Sequence, residues 1–122
     1  MDLRKCYEEL GGNYDEVLSR LQSTRIIQKF VLKFLNDGSF QQLKDALHAG
    51  DGETAFRAAH TLKGVCANLG FTKLYTSSNQ VNELLRAGNS EEAQVLMPQV
   101  EEDYRQTVRA IEAMAAEEGE PR

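Results

Sequence analysis

Apolar residues recur three and four positions apart along almost the whole chain, and only two of its 122 residues are proline. That spacing is the signature of amphipathic helices, and few runs alternate with the period of two that a half-buried strand needs. The expected fold class is therefore all-α. Glycines and capping side chains mark the joints. A first helix over Leu3 to Leu10 stops at Gly11-Gly12, and Asn13 caps a short segment from Asp15 to Leu21. Ser23 opens a longer helix whose Ile26, Ile27, Phe30, Val31, Phe34 and Leu35 form a wide apolar face, ended by Asp37-Gly38. Ser39 and Gln42 fit a capping box for the next helix, which Gly50 closes. Asp51 caps a fifth helix that Gly70 ends, and Phe71 to Leu85 carries the stripe of a sixth, closed near Gly88. The last segment starts at Ser90, and Pro98 should kink or divide it. Long helices joined by short glycine-containing turns pack as antiparallel neighbours. The expectation is one domain over residues 1–122, an up-down four-helix bundle with one or two short helices added at its N-terminal end. Residues 115–122 read as a fraying, solvated tail.

Composition narrows the function classes. The chain is 41% apolar and 27% charged, with 14 Lys and Arg against 19 Asp and Glu and a net charge of −5. An acidic surface repels phosphate backbones and anionic lipid, so neither nucleic acid nor membrane is an expected partner. The most apolar stretch, "FVLKFL", is too short to span a bilayer, and the charged N-terminus is unlike a secretory signal, so a cytoplasmic location is expected. Cys6 and Cys66 lie far apart with no CxxC spacing, and His48 and His60 lack neighbouring ligands, so no structural metal or disulfide is expected. His48, near a helix C-terminus, suits the helix dipole there.

The segment "AAHTLKGVCANLG", residues 58–70, is the informative one. At about 100° per residue, with Leu62 set at zero, Ala55, Ala58, Ala59, Val65, Cys66 and Leu69 fall within roughly 60° on either side and form a buried stripe. His60 lands at about 160°, on the outer side with Phe56, Lys63, Gly64 and Ala67. The residues four and seven after His60 are thus Gly64 and Ala67, where an exposed helix surface ordinarily carries long charged chains. Glycine in a helix interior costs about 1 kcal/mol relative to alanine. Gly64 therefore serves either a packing contact with a neighbouring helix or the close approach of another molecule to His60. Lys63 has a stem long enough to bring its ammonium beside any group bonded to the ring. A neutral imidazole is nucleophilic, and a negatively charged adduct on His60, balanced by Lys63, points to a phosphoryl group. Phe56 and Ala67 are the candidate docking residues for a partner. No Ser/His/Asp or Cys/His arrangement and no glycine-rich nucleotide loop accompanies them, so a self-contained enzyme is not expected.

"AHTLKG" at Ala59 to Gly64 and "NLGFTKL" at Asn68 to Leu74 together resemble the histidine-containing phosphotransfer (HPt) domain of multistep phosphorelays. The resemblance runs across nearly the whole chain and implies a four-helix bundle. It further implies that His60 accepts a phosphoryl group from an aspartyl phosphate on a response-regulator receiver and passes it reversibly to another receiver. Lys63 would balance the phosphate charge, and Gly64 would leave room for the receiver's active-site loops. A polar residue on the following helix orients the ring in such domains; Asn82 is the matching position and Asn79 the second choice. The implied partners are receiver domains, with a hybrid histidine kinase as a further candidate. The protein itself needs no cofactor, the Mg²⁺ of transfer belonging to the receiver. A freestanding monomeric carrier is the expectation. The alternative is a helical interaction module that binds a signalling partner through the His60 face without being modified.

Overall fold

A computed structural model describes residues 2–119. Seven α-helices make it up: α1 (Leu3–Leu10), α2 (Tyr14–Leu21), α3 (Thr24–Lys33), α4 (Ser39–His48), α5 (Gly52–Leu69), α6 (Thr72–Arg86) and α7 (Ser90–Gly119), with a 3₁₀ turn over Phe34–Asn36 after α3. No strand occurs among the described residues. Local chemistry explains most of the boundaries. The side chains of Asn13, Ser23 and Asp51 accept hydrogen bonds from the backbone N–H groups of Glu16, Ile26 and Thr54, satisfying donors that the first turn of a helix leaves free. Asp2 and Asn89 do the same for α1 and α7.

Four sequence expectations change. The Ser39–Gln42 capping box does not form: Ser39 is already the first helical residue, and its N–H (2.9 Å) and hydroxyl both donate to the carboxylate of Asp37. A charged acceptor two residues upstream outcompetes a hydroxyl cap. Pro98 does not divide the last segment, since α7 runs unbroken from Ser90 to Gly119. Pro98 and Gln94 are both at least partly exposed, so the carbonyl that loses its intrahelical donor lies on the solvated side, while Ala93 and Val100 stay buried to either side of the proline. That helix also takes in residues 115–119 of the expected tail, and residues 120–122 lie outside the described part. The apolar face of α3 splits as well: Ile27, Val31 and Phe34 are buried, whereas Ile26 and Phe30 remain 43% and 42% exposed. Six apolar positions in ten residues cover more of the helix circumference than one neighbour can bury.

Helices α4 to α7 form an antiparallel bundle, preceded by three short helices where one or two were expected. With 30 residues α7 is about 45 Å long, far longer than α4. Its first half packs along α4, where Lys44 meets Glu101 at 2.7 Å and Gln94 donates to the carbonyl of Leu47 at 2.9 Å. Its second half packs along α1, and Gln106 donates to the carbonyl of Glu9 at 2.6 Å. One end of the core is aromatic: Phe71 lies 5.8 Å from Tyr7 and 5.2 Å from Phe34, and Phe40 stacks on Tyr104 at 4.2 Å between ring centres. This cluster holds the C-terminal end of α5. The buried Tyr7 hydroxyl donates to the carbonyl of Leu69 at 2.6 Å, one of the carbonyls the helix end leaves without an intrahelical partner. Tyr7→Phe is expected to lower stability by about 1 to 2 kcal/mol, because a buried acceptor is left unpaired. Thermal unfolding followed by circular dichroism checks this, and an unchanged midpoint would show that water replaces the phenol.

Candidate functional site

The site sits on α5, whose inner face is built of small residues. Ala55, Ala58 and Ala59 are buried with Leu62, Cys66 and Leu69, which brings α5 close to both α4 and α6. Its start is fixed by Asp51, whose carboxyl the Thr54 hydroxyl and backbone N–H hold below the usual carboxylate range. Its end is fixed by Gly70, in the left-handed region at φ 66°. Arg20 adds a second clamp there, donating to the carbonyl of Asn68 at 2.7 Å.

On the outer side His60, Thr61 and Ala67 are exposed, and Lys63 and Gly64 are half-buried. The imidazole of His60 has one aromatic neighbour, Phe56 one turn earlier, with ring centres 6.1 Å apart and planes inclined by 33°. A Cβ built on Gly64 would meet nothing within 4 Å. The packing explanation for this glycine therefore fails within the chain: the space above it opens outward, beside His60. Lys63 makes no ion pair among the described residues. Long side chains on a helix lean toward its N-terminus, which directs the Lys63 stem over the turn that carries His60. By the same rule Arg57 leans away, and its guanidinium is engaged by Glu53 and by the Thr54 hydroxyl, both at 3.4 Å.

Asn82 is where the structure departs from expectation. Its side chain is fully buried, and its amide Nδ2 donates to the backbone carbonyl of Phe56 at 3.4 Å instead of to the ring of His60. The residue is short, and it is sealed beneath the backbone of α5. Its Oδ1 is a buried acceptor without a partner. What Asn82 grips is the peptide group that also accepts the helical N–H of His60, so its hold on the histidine passes through the main chain. Asn79, half-buried on α6, makes no side-chain hydrogen bond among the described residues. Phe56 is half-buried, and the guanidinium of Arg86 lies 5.7 Å above its ring.

A groove on another side of α5, between it and α2–α3, was not foreseen from the sequence. Val65, expected in the buried stripe, is half-exposed and joins Leu21, Phe30, Phe34 and Leu69 in lining a cavity of about 400 Å³ rimmed by Arg20 and Lys33. The signal that could have found it is the excess apolar width of α3. Both thiols lie in the core, and burial pushes Cys6 up to about 12 and Cys66 higher still, which leaves neither as a nucleophile near neutral pH. Among the described residues no three His, Cys, Asp or Glu side chains gather as metal ligands, and no helix is long and apolar enough to cross a membrane.

An all-helical bundle with an outward histidine, His60, that has a lysine and an open glycine in the next turn agrees with what comparison with known proteins finds. No curated protein sequence and no solved structure gives a significant match. A family model described as the Hpt domain matches residues 35–116, from the 3₁₀ turn to near the end of α7 and including all of α5 and α6. With two thirds of its length covered by that model, the chain belongs to the Hpt domain family, whose members carry out histidine phosphotransfer with receiver domains in phosphorelays.

Proposed function

We propose that this protein is a phosphocarrier in which His60 takes a phosphoryl group from the aspartyl phosphate of one response-regulator receiver and delivers it to the aspartate of another. The observation that carries the reading is the open space over Gly64 beside an exposed imidazole. In the forward step an unprotonated ring nitrogen of His60 attacks phosphorus, a P–N bond forms, and the P–O bond to the receiver's aspartate breaks. The carboxylate leaves with its electron pair, and the reverse step runs the same path. Attacking and leaving atoms must lie roughly in line, so the partner's acidic pocket has to come directly over the ring. A glycine and an alanine in the next two turns permit that approach. Lys63 offsets part of the charge on the transferred group, while the receiver supplies the Mg²⁺ and most of the catalysis.

Phe56 flanks the ring one turn before it, and Ala67 lies exposed on the same outer side of α5 two turns after it. Together they form the docking face for the receiver, with a hybrid histidine kinase reached through its own receiver. Because the net charge is −5, attraction at long range contributes little, and apolar contact sets the affinity. One face serves both donor and acceptor in turn, which suits a monomer in the cytoplasm. Asn82 acts as a positioning residue by holding the peptide of Phe56.

The test is transfer from a receiver phosphorylated with radiolabelled phosphate. The wild-type protein is expected to acquire label that acid removes and base does not, the behaviour of a phosphoramidate bond. Aspartyl phosphate is lost in base, and a serine phosphate survives acid. Tight binding of receivers without any label would overturn the carrier reading and leave the interaction module.

A further inference from the structure

We propose that the groove between α3 and the second half of α5 is a binding site for a small amphiphilic acid, a single carboxylate head on an apolar chain of medium length. The site is separate from His60: Val65 and Asn68 leave α5 about 140° and about 80° from the histidine, so the proposal stands or falls independently of phosphotransfer. By helical period Val65 belongs to the buried stripe and Phe30 to the apolar face of α3, yet neither is covered, and Phe30 is 42% exposed. With Leu21, Phe34 and Leu69 they line a concave space of about 400 Å³. That volume falls among small-molecule sites, which span roughly 300 to 1,000 Å³. Concave apolar surface that the chain itself leaves open is where an apolar ligand displaces water at a gain.

Charge selects the head group. Between Glu16 and Asp37 the chain carries four cations, Arg20, Arg25, Lys29 and Lys33, and no acidic residue, although its net charge is −5. At the rim, Arg20 is committed to the carboxylate of Glu16 and the carbonyl of Asn68, and Asp37 to the N–H and hydroxyl of Ser39. Lys33 makes no ion pair among the described residues, and its ammonium lies 5.8 Å from the centre of the Phe30 ring. An uncommitted cation thus sits over the apolar wall of the groove. A carboxylate there gains a charge-assisted hydrogen bond while its chain follows Phe30 and Leu21 inward to Val65 and Leu69. A neutral head forgoes that bond, and a cationic head meets like charges along the whole stretch.

Titration of the ¹⁵N-labelled protein with decanoate, decanol and decyltrimethylammonium is the test. Decanoate is expected to bind with a Kd on the order of 0.1 to 1 mM, moving the amide resonances of Leu21, Phe30, Val65 and Leu69 and leaving that of His60 in place. Decanol should bind about tenfold more weakly, and the ammonium more weakly still. Lys33→Gln, at an exposed position, should bring decanoate down to the level of decanol and leave decanol unchanged. Val65→Trp, which fills the groove, should abolish binding of both, with an unchanged circular dichroism spectrum showing that the helices persist. Equal affinity for decanoate and decanol, or the same decanoate affinity in wild type and Lys33→Gln, overturns the proposal. Shifts scattered over the surface, or present only where decanoate forms micelles, overturn it as well. A receiver that moves the groove amides when decanoate does not would make this a protein-docking surface and refute the small-ligand site.

Discussion

His60→Gln is expected to abolish phosphoryl uptake from a receiver, a loss of at least about 10³-fold, without lowering the thermal midpoint by more than about 1 °C. Glutamine keeps a polar amide at the position and removes the nucleophile. The imidazole is exposed and takes part in no hydrogen bond among the described residues, so little in the fold depends on it. Its one ring contact, Phe56 at 6.1 Å, is a weak one. Stability and transfer are thus separable at this residue, and measuring both decides the case. His48→Gln supplies the control: that histidine is exposed as the last residue of α4, so no helical turn follows it to carry a lysine and an open glycine, and its loss should leave transfer from the receiver unchanged. Acid-labile label that persists in His60→Gln and disappears in His48→Gln would make His48 the acceptor and leave the open turn at Gly64 without a part in transfer.

What the sequence discloses about this fold follows from which interactions are local. Asn13, Ser23 and Asp51 cap helices because each bonds a backbone N–H three residues on, and nothing distant can easily replace that bond. The outward position of His60 is equally legible, since 100° per residue fixes a side chain's direction once the buried stripe is known. Where the outcome depends on a second element, the sequence says less. Val65 and Phe30 look like core residues by period, and whether either is covered is decided by how far α2 and α3 extend over α5. Asn82 lies at the right distance along the chain to face His60. The depth at which α6 meets α5, and the length of one side chain, turn its amide onto the carbonyl of Phe56 instead. Ser39 loses its cap to Asp37 because two acceptors compete and only the geometry of the loop ranks them. The continuity of α7 through Pro98 has the same origin, with burial before and after the proline outweighing the one hydrogen bond it removes.

Substitutions at Gly64 should move stability and transfer in opposite directions. A Cβ at this position meets open space, and the backbone is helical, so Gly64→Ala gains the helix propensity that glycine forgoes, about 1 kcal/mol, and the midpoint should rise by about 3 to 6 °C. The same methyl group stands in the path of a receiver. A misplacement of about 1 Å between reacting atoms is enough to cost on the order of 10² in rate, so transfer from a phosphorylated receiver should slow about tenfold in Gly64→Ala and about a hundredfold or more in Gly64→Gln. Phosphoramidate is small enough to reach the ring beside either side chain, and labelling by it should stay within about twofold of wild type. Steric exclusion of the partner predicts that combination, whereas a structural defect would lower both kinds of labelling together and reduce the midpoint. If Gly64→Gln exchanged phosphate with a receiver at the wild-type rate, the partner would not be passing over this turn. The helix would then be carrying a destabilising glycine for a reason unconnected with His60.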